Sequence, residues 1–79
     1  MHGTNTLREK CIAAVGSMTA AIKAQRTLSL NGISSEIVAL DPGRTRRGCA
    51  YGVEFLAEDE RAVRATLRGG NVSVSEYIR

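Results

Sequence analysis

The chain is poor in aromatic residues. It has no tryptophan, and Tyr51, Phe55 and Tyr77 are its whole aromatic set. A core for these 79 residues must be built from Ala, Val, Ile and Leu. An RNA-recognition module stacks bases on aromatics of its central strands, and the first strand here has none, which argues against nucleic acid as a partner. There is one histidine, His2, and the two cysteines, Cys11 and Cys49, lie far apart in the chain. They do not make the four-ligand set of a zinc site. No Ser/His/Asp set, P-loop or dinucleotide fingerprint occurs, so the sequence implies no metal and no cofactor. No apolar run approaches the ~20 residues needed to span a bilayer. No basic start is followed by an apolar stretch, as in a signal peptide. Two cysteines do not make the disulfide framework of a small secreted scaffold. These absences predict a cytoplasmic, reduced protein with no membrane partner.

What is present describes one small domain. The hydrophobic fraction of 43% is ordinary for a globular chain. Net charge is +3, from 11 basic and 8 acidic residues, too mild an excess to identify a polyanion binder. Its distribution is more telling, because Arg44, Arg46 and Arg47 crowd into one short stretch. Residues 1 to 10 include Gly3, Thr4, Asn5 and Thr6 and read as a flexible tail, with the domain at residues 11 to 79. His2 falls in that tail and is given no function.

Cys11-Ile12-Ala13-Ala14-Val15 is an apolar run ended by Gly16 and Ser17, which suits a central strand followed by a helix N-cap. From Met18 to Asn31, Ala21, Ala24 and Leu28 recur at helical spacing, and Gly32-Ile33 suits a helix C-terminus. Glu36 to Leu40 predicts a second strand stopped by Asp41-Pro42-Gly43. Residues Ala50 to Phe55 alternate as a third strand, where Gly52 suggests a bulge or a close approach. Glu58 to Arg68 reads as a second helix with Ala62, Val63, Thr66 and Leu67 facing inward. Val72 to Ser75 alternates as a fourth strand running on to Tyr77-Ile78. The order predicts an α+β, ferredoxin-like βαββαβ domain: a four-stranded antiparallel sheet, order 4-1-3-2, with two helices on one face.

The stretch from Asp41 to Gly52 carries the only proline, three arginines, three glycines and Cys49. Cationic side chains beside a thiol favour the thiolate, the nucleophilic form of sulfur. In the predicted topology the end of the first strand lies beside Cys49-Ala50, and the first helix starts at the same edge with its N–H groups exposed. Gly69, Gly70 and Asn71 are expected to enter the fourth strand there too. Cys49, Arg44, Arg46, Arg47, Ser17 and Gly48 therefore form the candidate site, with Cys49 as a partly exposed thiol and the others as anion- or substrate-binding groups. Cys11 opens the first strand roughly 15 Å away at ~3.3 Å per residue, beyond the reach of a disulfide with Cys49. It reads as packing.

Ser17 with Ala20-Ala21, Ala24, Leu28, Asn31-Gly32-Ile33, Asp41-Pro42, Arg44 and Gly48 through Phe55 together resemble the small bacterial domains described as selenium/sulfur carrier protein-like. The resemblance covers nearly the whole chain, and Pro42, Arg44 and Cys49 match the family's pattern. Family members tend to have Cys-Gly, whereas Ala50 and Tyr51 precede Gly52 here. The resemblance implies a carrier or handler of sulfur or selenium, with Cys49 as the thiol that takes up a persulfide or selenosulfide. It also implies a sulfur or selenium donor protein as partner, such as a cysteine desulfurase. No general acid–base pair accompanies the thiol, so a carrier or accessory protein is expected rather than a self-contained enzyme. The alternative is a non-catalytic protein- or anion-binding assembly module in which Cys49 is incidental. Pairing of an exposed edge strand with a second copy would give a homodimer.

Overall fold

The computed structural model describes residues 9–79, so most of the expected tail, with His2, lies outside the described residues. The first strand, β1 (Lys10–Val15), begins inside the stretch expected as tail. Glu9 already contributes, its carbonyl accepting from the Ala57 N–H at 2.9 Å. The other elements are α1 (Met18–Leu30), β2 (Glu36–Ala39), β3 (Tyr51–Leu56), α2 (Glu60–Gly69) and β4 (Glu76–Ile78). The strands form one antiparallel sheet in the order β2-β3-β1-β4, the expected 4-1-3-2 arrangement. The apolar run of β1 becomes a central strand, flanked on both sides.

Strand alternation sends one set of side chains to the helices. Cys11, Ala13 and Val15 of β1 and Val53 and Phe55 of β3 are buried against Ala21, Ala24 and Leu28 of α1 and Val63 and Leu67 of α2. The scarcity of aromatics is met by close approach, since the small residues Ala13, Ala21 and Ala24 are fully buried. Burying a side chain such as Leu28 or Leu67 contributes about 1.5–3 kcal/mol. Ala62 is exposed and Thr66 half-buried, so the buried stripe of α2 is narrower than the sequence suggested.

Local chemistry sets the helix ends. Ser17 caps α1, its Oγ accepting from the Ala20 N–H at 3.1 Å. At the other end Gly32 takes a left-handed φ of 76°, and the Ile33 N–H returns to the Leu28 carbonyl at 2.9 Å. A 3₁₀ turn at Ala57–Asp59 leads into α2, so the helix starts two residues later than predicted. Glu60 in its first turn accepts from Arg64 and Arg79, and these bonds hold its carboxyl below the usual range. Arg64 also lies over the Tyr77 ring, 4.0 Å from its centroid, while Tyr77 meets Phe55 edge-to-face at 6.4 Å.

The fourth strand departs from the sequence expectation. Residues 72–74 belong to no strand, and β4 is only Glu76–Ile78. The alternation of Val72 and Val74 has another use: Val72 is buried in the core and Val74 packs against it. The Val72 N–H bonds the Leu67 carbonyl at 2.9 Å, so this segment first closes the end of α2. The Gly69-Gly70-Asn71 turn is also displaced from the expected edge. A Cβ on Gly70 would lie 2.8 Å from the Thr27 methyl, in the later half of α1 and far from its N-terminus.

Candidate functional site

The irregular segment between β2 and β3 is the strap that carries the candidate residues. Asp41 starts it, with Oδ1 accepting from the Gly43 N–H at 2.9 Å ahead of a 3₁₀ turn at Pro42–Arg44. The Thr45 hydroxyl lies 3.1 Å from the Cys49 carbonyl, and the Gly48 N–H bonds the Thr45 carbonyl at 3.3 Å. Gly48 sits at φ 69°, a conformation that favours glycine.

At its far tip the strap reaches across the sheet. The Arg46 N–H donates to Glu76 Oε1 at 2.8 Å, thirty residues further along the chain. β2 and β4 are opposite edges of the sheet, so this bond ties one edge to the other. Glu76 pairs with Ala14, whose side chain lies on the face away from the helices. At that end Ala14 and its partner Gly52 are both buried. A Cβ on Gly52 would lie 2.7 Å from Ile12 Cγ2 and 3.1 Å from Leu40 Cδ1, so glycine here admits the close approach of both side chains.

Cys49 is buried, with 5% of its surface exposed, and this corrects the expectation of a partly exposed thiol. Its backbone is held where the strap runs into β3, with the Thr45 hydroxyl donating to the Cys49 carbonyl at 3.1 Å. Cys49 nevertheless stands outside the main apolar cluster that contains Cys11. Val15 pairs with Tyr51, so extending the register by two residues brings Cys49 level with Ser17.

The other predicted residues meet different fates. The Ser17 hydroxyl is engaged in capping α1. The N–H groups of Gly43, Arg44, Arg46 and Gly48 all have partners within the protein. These four backbone donors of the strap are therefore not free for an anion. Arg44 approaches Asp41 at 3.9 Å, with both side chains well exposed, a pairing of little energetic weight. Among the described residues the Arg46 and Arg47 guanidinium groups make no ion pair, and both residues are exposed. Cationic capacity at the site rests on these side chains. Glu76 is the participant that sequence reasoning missed, since a lone acid in a three-residue edge strand carries no motif.

Cys11 has a different setting. It is fully buried opposite Phe55, and burial pushes its thiol above the ordinary value of 9.0. Both cysteines are free thiols. Among the described residues no group of three or more His, Cys, Asp or Glu could hold a metal ion, and no helix is long and apolar enough to cross a membrane.

Topology and site together define a small ferredoxin-like α+β domain with one cysteine sheltered at the arginine-bearing end of its sheet. Over residues 10–79 the chain matches the family model described as "Putative Se/S carrier protein-like", and it belongs to that family. No curated protein and no solved structure matches it.

Proposed function

We propose that the chain carries sulfur or selenium on Cys49. The observation that supports this reading most is a free cysteine outside the main core, at the foot of a strap whose Arg46 and Arg47 guanidinium groups make no ion pair among the described residues. In the sulfur case the Cys49 thiolate attacks the terminal sulfur of a donor persulfide. The new bond is Cys49 S–S, the donor's S–S bond breaks, and the donor leaves as its thiolate with no net oxidation. Arg46 and Arg47 supply positive potential for the anionic adduct, and burial shields it from water and stray thiols. The donor is a protein that bears a persulfide, of the cysteine desulfurase kind, in a reducing cytoplasm.

In this reading the thiol is reached by opening the strap, whose one hydrogen bond to the far edge among the described residues is the Arg46–Glu76 bond. Incubation with a low-molecular-weight persulfide followed by intact mass analysis tests the proposal. One sulfur atom should add to the native chain and none to Cys49→Ser. Failure of the native chain to gain sulfur, or equal gain by Cys49→Ser, rules the reading out.

A second reading, a binding module in which Cys49 is incidental, draws on α1. Met18 and Ile22 are 42% and 43% exposed and Leu30 87%, an apolar set on the helix's outer side. Under this reading Cys49→Ala retains every partner in a pull-down and Ile22→Lys loses them.

A further inference from the structure

Both helices pack on one face of the sheet. Among the described residues, only the strap crosses part of the other face. Register assigns to that face Ile12 and Ala14 of β1, Val38 of β2, Gly52 and Leu56 of β3, and Ile78 of β4. Leu40 joins them through its approach to Gly52. Ile12, Val38, Leu40, Leu56 and Ile78 all keep partial exposure. Sheets with one bare apolar face are normally completed by a second layer.

The charges on this face are sorted along the strand direction. The strap end holds Arg44, Arg46 and Arg47 against Asp41 and Glu76, an excess of one positive charge. At the other end Glu36 and Glu54 are directly paired across strands, with Lys10 3.7 Å from Glu54, an excess of one negative charge. Like charges directly opposite each other destabilise a sheet and gain from a cation brought in from outside. A two-fold axis in the plane between two stacked sheets and perpendicular to the strands turns one copy end over end. It lays each strap on the other copy's Glu36 and Glu54, twice per dimer, while the apolar centres meet.

We infer that the bare sheet face is a homodimer interface, with the strap arginines of each copy seated on Glu36 and Glu54 of the other. The occupant is a second copy because the face complements itself: its basic and acidic ends are matched in size and lie at opposite ends of the same strands. Stacked sheets pack about 10 Å apart with strands roughly 30° from alignment, which this arrangement permits. Strands of six, four, six and three residues, at ~3.3 Å per residue and ~4.8 Å apart, give about 300 Å² of flat footprint per copy. Side-chain relief and the strap add to this, and the total stays in the class below about 1,200 Å² that weak, reversible encounters occupy. Edge pairing is the weaker route, because β2 has four residues and β4 three, and short edges offer few backbone bonds.

Charge exchange in the full chain, followed by sedimentation equilibrium, tests this. The native chain should pass from monomer to dimer within about 1–100 μM, and added salt should weaken the association. Replacing Arg44, Arg46 and Arg47 together by Glu should weaken self-association at least ~10-fold, and so should Glu36→Arg with Glu54→Arg. An equimolar mixture of the two variants restores both contacts, so it should form a heterodimer within about threefold of native affinity. Circular dichroism confirms that each variant is folded. A native chain monomeric beyond about 200 μM overturns the inference. So do charge variants that associate like the native chain, the result expected of edge pairing, or a mixture that stays dissociated.

Discussion

The two cysteines are buried almost equally and held quite differently. Cys11 is 0% exposed and belongs to the cluster that both helices and the sheet build together. Cys49 is 5% exposed and lies outside that cluster, beside an irregular strap secured by a handful of hydrogen bonds. Equal burial does not mean equal protection. Cys11 is held by the core itself, whereas Cys49 adjoins an irregular local segment, and local openings cost far less than global ones. A buried thiol meant for exchange needs the second kind of shelter.

This contrast can be broken or sharpened by alkylation of each thiol, followed by mass spectrometry. The largest effect should come from Leu67→Ala, which empties a fully packed position at a cost of about 2–5 kcal/mol. Labelling of Cys11 should accelerate about 100-fold while that of Cys49 hardly changes. Equal acceleration of both would merge the two regions into one cooperative unit.

Next is Gly52→Ala, whose methyl must displace Ile12 and Leu40, at about 1–3 kcal/mol measured by urea unfolding. An unchanged midpoint would mean that the outer face yields freely. Smaller again is Glu76→Ala, which removes one charge-assisted bond to the strap tip. Cys49 should then label about tenfold faster with Cys11 unaffected; no change at Cys49 would show that the tie does not restrain the strap.

The smallest effect is on pH. Burial raises both the Cys11 thiol and the Tyr77 phenol above their ordinary values of 9.0 and 10.0. Both groups are neutral at lower pH, so their contribution is whole below the unfolded values and is lost as pH rises through the folded ones. Melting temperature should decline on the alkaline side of about pH 9, and a flat profile there would contradict the assignment.

Most of the architecture was legible in the chain. The apolar run at Cys11–Val15, the helical spacing of Ala21, Ala24 and Leu28 and the alternation of Tyr51, Val53 and Phe55 report local periodicity, and the layers follow from it. The fourth strand was misplaced because Val72 and Val74 show strand alternation but fill the core beside α2. Of the site, the arginines and Cys49 were visible as residues, while the burial of the thiol and the part of Glu76 were not. A bond joining Arg46 to Glu76 across the sheet leaves no local signature.

By itself, then, the sequence determined the elements, their order and the gathering of Arg44, Arg46, Arg47 and Cys49 in one segment. These depend on neighbours a few residues apart, where propensity, periodicity and turn chemistry act. Only the tertiary structure decided that the segment folds back across the sheet, that Cys49 is buried and that, among the described residues, only the strap crosses the second sheet face. Those outcomes depend on which distant strands become neighbours, and strand pairing joins residues that the chain holds far apart.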